Sequence, residues 1–347
     1  MGWLSGWGYR KSHVINPASG AGTNYQVRIV AHYGSGVDSG ADVYLNSKCR
    51  TDFGDIRFTD DDGTTLLDYW MEEKVDSDYA VFWVEVADDL STNPATIYIY
   101  YGKADATTTS NGSNTFLWFN DFSSVIGFER FPYDGPPSWG TEDGTAPTAW
   151  SLEAGYLKHV QANASSHEYA LKSLVHSNVA IGVKVNLLTA SAIEGVGVSG
   201  RYTKVDSYCN NYFARIEYYG AAPHKLSLMK NYNGAETNLG YYSFTAYGNT
   251  WYKIELRMYG SSLKVFLDDV ERVSVTDTAM SSGSELGCFG EYDAGRDQAY
   301  DDFHVRKYVE PEPSHGAWGS EETPPPPPWG GSALPQLEMA KAILGFN

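Results

Sequence analysis

Residues 263–270 read Leu-Lys-Val-Phe-Leu-Asp-Asp-Val, and residues 250–257 upstream read Thr-Trp-Tyr-Lys-Ile-Glu-Leu-Arg. In the first run, apolar residues recur at every second position, Leu263, Val265 and Leu267, which predicts a strand with one buried face. The two aspartates that follow suit a tight turn, because Asp tolerates the backbone angles that such turns need. Residues 300–306, Tyr-Asp-Asp-Phe-His-Val-Arg, close a run of short strand patterns that begins near Val125.

This order of strand, turn, strand, Asp-Asp turn and closing Asp-Asp-Phe strand resembles the concanavalin A-like jelly roll. That family includes laminin-G-like, lectin and glucanase-like modules. The resemblance implies a sheet face that binds sugars or protein partners, and only some members of the family catalyse a reaction. The short strands and polar turns between residues 180 and 307 favour a sandwich over alternating strands and helices.

The first part of the chain is also dense in strand patterns, for example at residues 25–30 and 81–86. Three motifs occur there: Trp-Gly-Tyr-Arg-Lys at 7–11, Gly-Asp-Ile-Arg-Phe-Thr at 54–59 and Ile-Tyr-Ile-Tyr-Tyr-Gly at 97–102. In this order they resemble a domain of unknown function found in archaeal, bacterial and viral surface proteins, often followed by a concanavalin-like domain. That family implies an accessory β-sandwich at a surface and brings no catalytic residues.

The sequence therefore predicts an all-β protein of two tandem β-sandwich domains of jelly-roll type, followed by a proline-rich C-terminal arm. We place the accessory sandwich at residues 1–122 and the concanavalin A-like jelly roll at 123–309. The proline-rich linker then covers 310–333, and an apolar docking peptide covers 334–347.

Acidic residues dominate the composition, with 43 Asp and Glu against 25 Lys and Arg and a formal charge of −18. Such a surface repels nucleic acid and anionic lipid, so neither is expected as a partner.

No segment approaches the roughly 18 apolar residues needed to span a bilayer. The amino terminus lacks a signal-peptide pattern, so either a signal was removed or the chain leaves its cell by another route. We expect an extracellular or virion-surface protein.

Three cysteines, Cys49, Cys209 and Cys288, show no metal-ligand spacing. Cys209 and Cys288 could pair across strands of the second domain, or all three could be small buried hydrophobic residues.

Catalytic patterns are incomplete. Jelly-roll glucanases commonly carry a Glu-x-Asp-x-x-Glu strand, but residues 291–296 read Glu-Tyr-Asp-Ala-Gly-Arg, so Arg296 replaces the last carboxylate. We therefore expect no enzyme activity. His159, His167 and His176 are too widely spaced for a zinc site and are interpreted as structural or surface residues.

Four aspartates near the closing strand, Asp293, Asp297, Asp301 and Asp302, could hold Ca²⁺, which prefers several oxygen ligands. Calcium is the one cofactor that the sequence raises, and none is certain. Asp60, Asp61 and Asp62 are better explained as a hairpin turn.

Sugar recognition uses aromatic faces for stacking together with amide and carboxylate hydrogen bonds. Side chains of these types lie in or beside predicted loops of the second domain. They are Trp139, Tyr208, Asn210, Asn211, Tyr212, Tyr232, Asn233, Tyr241, Tyr242 and Tyr292. Tyrosine and tryptophan are also common in sandwich cores and protein interfaces, so packing is the alternative explanation for these residues.

The arm begins with five prolines, which favour a stiff extended spacer, and ends with apolar residues near one side of a short helix. Such a helix is marginal alone and needs a partner groove, although a disordered linker is the simpler alternative. The residues expected to mediate assembly are Pro324, Pro325, Pro326, Pro327, Pro328, Trp329, Leu334, Leu337, Ile343, Leu344 and Phe346.

Three functions remain open on sequence alone. The leading hypothesis is a non-enzymatic surface structural or adhesive protein, such as a virion decoration or fibre protein or an extracellular filament subunit. The arm would join it to copies of itself or to a capsid or surface base protein. The alternative is a carbohydrate-binding adhesin that recognises host or cell-surface glycans, and the third is a glycoside hydrolase-like enzyme.

Overall fold

A computed structural model describes residues 2–134, 149–160, 166–188, 193–205, 208–292 and 297–326. Over these residues the chain consists of β-strands with a single four-residue α-helix, α1 (Gly112–Thr115). Within the same residues, no helix has the length and apolar character needed to cross a membrane.

The strands follow one another along the chain. The first eight are β1 (Tyr9–Asn16), β2 (Tyr25–His32), β3 (Asp42–Tyr44), β4 (Arg57–Thr59), β5 (Leu66–Leu67), β6 (Tyr69–Val75), β7 (Tyr79–Val86) and β8 (Ala95–Tyr101). The next eight are β9 (Trp118–Asn120), β10 (Tyr133–Asp134), β11 (Trp150–Glu153), β12 (Tyr156–Val160), β13 (Ser166–His176), β14 (Val179–Leu187), β15 (Ile193–Val205) and β16 (Tyr208–Tyr219). The last eight are β17 (His224–Tyr232), β18 (Ala235–Phe244), β19 (Trp251–Tyr259), β20 (Ser262–Leu267), β21 (Val270–Thr276), β22 (Gly283–Tyr292), β23 (Asp297–Lys307) and β24 (Ser314–Trp318).

The first sandwich packs a five-stranded sheet, in the order β24-β1-β8-β4-β5, against a four-stranded sheet, β3-β2-β7-β6. Its core takes one face from each sheet: Ile29 and Phe82 come from one, and Phe58 and Ile97 come from the other. The alternation that predicted β2 and β7 therefore reflects a buried inner face and a more polar outer face.

The second sandwich is larger. A seven-stranded sheet, β10-β13-β22-β15-β16-β17-β18, packs against an eight-stranded sheet, β11-β12-β23-β14-β19-β20-β21. Val198, Ile216 and Leu228 of the first sheet meet Val183, Leu256 and Val265 of the second in one continuous core. The structure confirms the predicted fold class, because both parts of the chain are β-sandwiches.

The hairpin between β20 and β21 confirms the predicted Asp-Asp turn. Leu267 pairs with Val270, and the two residues between them, Asp268 and Asp269, have φ angles of 48° and 65°. Two consecutive positive φ angles define the tight hairpin turn that matches strand twist, and Asp accepts them more readily than most residues.

Two segments belong to different parts of the fold from those expected. Residues 118–120 form β9, which pairs with β23 of the second sandwich, although they were expected in the first domain. Residues 314–318, which the sequence placed in a linker, form β24 and pair antiparallel with the edge strand β1. The linker prediction missed this strand because β1 offers unpaired backbone groups, and edge pairing outweighs the local proline-rich composition.

Residues 309–322, named here the strap, run from the second sandwich back across the first. Glu312 lies at their centre: it accepts hydrogen bonds from Tyr25 Oη at 2.9 Å and from Arg257 Nη1 at 2.8 Å. Arg306 Nη1 also donates to Glu312, at 2.5 Å. Since Tyr25 belongs to the first sandwich and the two arginines to the second, the strap binds both.

All three cysteines are buried thiols that form no disulfide, as one of the two sequence-based interpretations proposed. Cys288 lies in the main core, whereas Cys209 belongs to a separate apolar cluster with Phe213 and Phe289 on the outer face of the same sheet. The two thiols therefore point to opposite sides of the sheet, which explains why they do not form a disulfide.

Of the arm, the structure describes Pro324, Pro325 and Pro326, which are exposed. The other predicted assembly residues lie outside the described residues: Pro327, Pro328, Trp329, Leu334, Leu337, Ile343, Leu344 and Phe346.

Candidate functional site

The outer face of the seven-stranded sheet carries an unusual group of charged side chains. Along β16, Ala214 and Ile216 belong to the inner core, so the intervening Arg215 and Glu217 face outward. His167 of β13, Glu236 of β18 and Glu291 of β22 meet them there. These five residues are named here the charged face.

Arg215 is the centre of the charged face. Its Nε donates to Glu217 Oε1 at 2.8 Å, its Nη1 pairs with Glu291, and its Nη2 lies 3.5 Å from Glu236 Oε1. His167 Nε2 lies 3.0 Å from Glu291 Oε2 and 3.2 Å from Glu236 Oε2. One guanidinium and one imidazole therefore hold three carboxylates in fixed positions, because each charged group has several partners.

Gly195 on β15 makes room for this arrangement. A Cβ atom at that position would lie 2.5 Å from Glu291 Cγ and 2.6 Å from Glu291 Oε1, so a larger residue would displace the carboxylate. Oε1 of Glu291 is buried and has no hydrogen-bond partner among the residues that the structure describes. An unmatched buried acceptor costs about 1–3 kcal/mol, so a hydrogen-bond donor supplied from outside would be stabilised at this point.

Burial and charge act in opposite directions on the carboxylates. Burial would raise the pKa of Glu217, but Arg215 and Tyr219 overcome this effect and hold it below its usual value. Burial likewise opposes ionisation of Glu236, and His167 and Arg215 lower its pKa. Both side chains are therefore ionised hydrogen-bond acceptors at neutral pH.

A second group, named here the aromatic rim, lies beside the charged face and consists of Tyr219, Lys225 and Tyr241. Lys225 Nζ lies 5.4 Å from the ring centre of Tyr219 and 4.8 Å from that of Tyr241, so the two rings flank one ammonium group. Tyr219 is 38% exposed and Tyr241 is 56% exposed, whereas the Arg215 side chain is only 3% exposed. Tyr219 also donates a hydrogen bond to Glu217, which connects the rim to the charged face.

Of the residues predicted to bind sugar, Tyr241 lies in this region. Tyr208, Asn210, Tyr232 and Asn233 lie at the β17–β18 hairpin end of the sheet, where the Asn233 amide donates to Asn210 Oδ1 at 2.8 Å. Tyr232 is 37% exposed, so this hairpin remains accessible.

Burial contradicts two of those predictions, Tyr212 and Asn211, whereas Tyr242 is half-buried. Tyr212 is fully buried, and its hydroxyl donates to Asp277 at 2.5 Å. Asn211 is also buried and donates to Ser199 Oγ at 2.8 Å. Tyr242 packs against the core from the inner side of β18, under the guanidinium of Arg272. A shift of one residue in strand register moves a side chain from the core face to the solvent face. Composition alone does not reveal the register.

Trp139 lies outside the described residues, as does the side chain of Tyr292.

The predicted calcium ligands do not converge. Asp302 pairs with Lys184 at 2.7 Å, Asp297 pairs with Lys158 at 3.0 Å, and Asp293 lies outside the described residues. Asp301 accepts a hydrogen bond from the Asp302 amide. Among the residues that the structure describes, no group of three or more His, Cys, Asp or Glu side chains is arranged to hold a metal ion.

The histidines interpreted as structural have specific partners. His159 is fully buried, with Nε2 2.8 Å from Glu168 Oε2 and Nδ1 3.0 Å from Gln298 Oε1. His176 Nε2 accepts a hydrogen bond from the Arg201 amide at 2.8 Å. His167, by contrast, belongs to the charged face.

Sequence reasoning missed Arg215, Glu217, Glu236, Tyr219 and Lys225. A signal was present in residues 213–218, Phe-Ala-Arg-Ile-Glu-Tyr, where charges alternate with apolar residues inside a predicted strand. Such charges on a central strand must find partners when they are buried, and that requirement points to a polar cluster.

Part of the chain is similar to a known protein family. Residues 52–132 match the family of a domain of unknown function, DUF2341. This match confirms such a domain in the first part of the chain. It begins after the Trp7–Lys11 motif and extends past residue 122. A comparison with curated proteins finds no significant match.

Solved structures with similar architecture share little sequence with this chain. A carbohydrate-binding module, CBM66, from Bacillus subtilis is 16% identical, with a TM-score of 0.39 over 46% of this chain and 91% of that one. A protein of unknown function with a galectin-like fold, also from Bacillus subtilis, is 9% identical, with a TM-score of 0.44 over 56% of this chain and 96% of that one. A β-glucanase from Bacillus licheniformis is 12% identical, with a TM-score of 0.41 over 55% and 98%. Likenesses at this level identify neither a ligand nor a reaction.

Proposed function

We propose that this chain is a non-enzymatic, carbohydrate-binding adhesive protein whose ligand lies on the charged face and aromatic rim of the second sandwich. The observation that carries the proposal is the position of two exposed tyrosines, Tyr219 and Tyr241, beside a network of fixed and ionised hydrogen-bonding groups.

The two groups have complementary roles toward a sugar. Pyranose rings present an apolar face of C–H groups, which stacks on aromatic rings such as Tyr241. Their hydroxyls donate hydrogen bonds to carboxylates, and the ionised Glu236, whose side chain is 32% exposed, is an accessible acceptor. Because ion pairs already fix the polar groups, binding orders few side chains and costs less entropy.

The same network argues for binding over hydrolysis. Retaining and inverting glycosidases need one carboxylic acid that stays protonated near neutral pH. Here Arg215 pairs with both Glu217 and Glu291, and the pKa of Glu217 is held below its usual value. Arg215 favours the ionised forms of Glu217 and Glu236, which suits recognition of hydroxyls.

A glycan array probed with the labelled chain tests the proposal. We expect selective binding that falls at least tenfold in Tyr241→Ala and in Glu236→Gln, while the folded state is retained. Tyr247→Ala is the matched control, because Tyr247 is 64% exposed and belongs to neither the charged face nor the rim. Binding to no glycan, or equal losses in the control, would contradict the proposal.

A surface structural role is the second candidate, and the strap favours it. Residues 309–322 fasten the two sandwiches to one another, which suits a rigid projecting unit. Assembly through the arm predicts that a chain ending at Thr323 folds normally but no longer forms multimers in electron micrographs or light scattering. Multimers of unchanged size would remove this candidate and leave the carbohydrate proposal intact.

A further inference from the structure

A groove lies between the two sandwiches, away from the charged face. It encloses about 490 Å³ and is lined by Glu72 and Glu73 of β6 and, on the eight-stranded sheet, by Lys184, Trp251 and Asp301. Its volume falls in the range of small-molecule sites, which occur preferentially where domains meet. Neither the charged face nor the rim contributes to it.

The lysines in the groove are already neutralised. Lys253 pairs with Glu72 and lies 2.7 Å from Asp269, and Lys184 lies 2.7 Å from Asp302. Five carboxylates and two lysines line the groove. Within the described part of the chain, no lysine or arginine lies within salt-bridge distance of Asp301 or Glu73. The groove therefore keeps an excess of negative charge, which favours a cationic ligand.

Asp301 is one of the groove carboxylates that have no ion-pair partner among the described residues. Burial and the neighbouring Asp302 raise its pKa to about 7. Its Oδ1 accepts a hydrogen bond from the Asp302 amide, at 2.8 Å, which fixes its position on β23. A positive group placed beside Asp301 would be strongly stabilised, because it would supply the missing counter-charge.

Trp251 gives the groove an apolar surface. It is 41% exposed, and the contact with Tyr156 is edge to face, with ring centres 6.1 Å apart. Exposed indole rings beside carboxylates suit a ligand that combines a flat C–H face with a cation. A lone metal ion does not fit this description, and the described residues offer no group arranged to hold one.

We propose that this groove binds an amino sugar unit of a glycan, with its ammonium group beside Asp301 and Glu73 and its ring stacked on Trp251. An amino sugar is favoured over a basic peptide because the groove is lined by seven charged side chains and two adjacent aromatic residues, Trp251 and Tyr252, whereas peptides dock through several apolar pockets. The inference shares its ligand class with the proposed function but uses a separate set of residues.

Calorimetric titration of the whole chain with glucosamine oligomers, and with their N-acetylated counterparts, tests the inference. The two probes share one sugar backbone and differ in the ammonium charge. We expect the amine form to bind at least tenfold more tightly, and the difference to be lost in Asp301→Asn and Trp251→Ala. Tyr247→Ala, at an exposed residue outside the groove, the charged face and the rim, should leave amine binding unchanged. Loss of the amine preference in Asp301→Asn and Trp251→Ala reports on the groove, whereas the glycan-array losses in Tyr241→Ala and Glu236→Gln report on the proposed function, so the two failures are distinguishable.

A second readout concerns protons. At about pH 6 a large fraction of Asp301 is protonated, so binding of an ammonium group should release protons, and the measured heat should depend on the ionisation enthalpy of the buffer. Asp301→Asn should abolish that dependence. Equal affinity for the acetylated oligomer, unchanged binding in both variants, or equally tight binding of oligolysine would each overturn the inference.

Discussion

Arg306 Nε donates a hydrogen bond to Glu255 Oε1 at 2.8 Å, and neither side chain is more than 6% exposed. The same guanidinium reaches Glu312 of the strap and lies 4.8 Å from the ring centre of Trp83 in the first sandwich. One buried cation thus connects the second sandwich, the strap and the first sandwich. The connection depends on every partner being present, since an unpaired buried charge is costly.

Replacing the cation of this connection should therefore destabilise the whole chain. We expect Arg306→Met to lower the free energy of unfolding by about 3–5 kcal/mol, because the carboxylates of Glu255 and Glu312 each lose an arginine partner and then share Arg257 alone. Denaturant unfolding measures the change. Arg272→Met is the control: Arg272 is exposed, and its loss should cost less than about 1 kcal/mol. Similar effects of both substitutions would contradict this account of the domain junction.

The glycines of β15 reflect a different constraint, the close approach of strands. A Cβ atom at Gly197 would overlap the carbonyl oxygen of Ala214 and lie 2.8 Å from Arg215 Cα. Gly197→Ala should therefore force β15 and β16 apart, lower stability by about 1–3 kcal/mol and weaken glycan binding through Arg215. Thermal unfolding and the glycan assay measure the two effects.

Gly34→Ala provides the matched comparison for that substitution. Nothing lies within 4 Å of a Cβ atom there, and the residue does not adopt a positive φ. A change of no more than about 0.5 kcal/mol is expected. If Gly197→Ala changed the free energy of unfolding equally little, β15 and β16 would be able to move apart at little cost, which would contradict the close packing argued from their spacing.

Local features of the fold could be predicted from the sequence, whereas features that depend on distant strand pairing could not. Alternation and turn residues predicted strands such as β7 and β20 and the Asp268–Asp269 turn, because those features are local. The charged face was not predicted, because Arg215, Glu236 and Glu291 lie on three strands whose pairing depends on register. The strap was missed for a similar reason: β24 exists because of a distant partner, β1.

Attachment of the strap should weaken in acid. His13 of β1 stacks on Trp318 of β24, with ring centres 3.7 Å apart, and His13 Nε2 lies 2.9 Å from His315 Nδ1. Burial and the nearby His315 lower the pKa of His13 to about 3. A folded-state pKa below the usual 6.5 means that this contribution to stability is present above pH 6.5 and is lost as the pH falls toward 3.

Hydrogen exchange at residues 314–318 measures that weakening. Exchange there should accelerate between about pH 7 and pH 5, relative to the intrinsic rate and to the β20 amides. His13→Phe keeps an aromatic ring against Trp318 and removes the charge, so it should reduce the pH dependence. Persistence of the full dependence in that variant would assign it to another group.

Protonation of Asp301 should give the free energy of unfolding the opposite dependence on pH. Its pKa, raised from 3.8 to about 7 by burial and Asp302, means that the folded state holds a proton that the unfolded state releases. Lys184 and Asp121 also face it, but Lys184 is paired with Asp302. Stability from this group is therefore greatest below pH 3.8 and is lost as the pH rises through about 7.

Asp301→Asn mimics the protonated side chain and should remove this loss. The full shift would correspond to about 4 kcal/mol, at about 1.4 kcal/mol per pKa unit, and solvent screening of the partly exposed Asp301 reduces it. At pH 8 the variant should therefore be more stable than the native chain by about 1–3 kcal/mol, and the two should converge near pH 4. Asp302→Asn is the control, because it breaks the pair with Lys184 and should lower stability at pH 8. The stability difference between Asp301→Asn and the native chain could instead stay constant from pH 4 to pH 8. That result would mean that Asp301 is ionised throughout this range. The excess negative charge of the groove would then have to be balanced by another group.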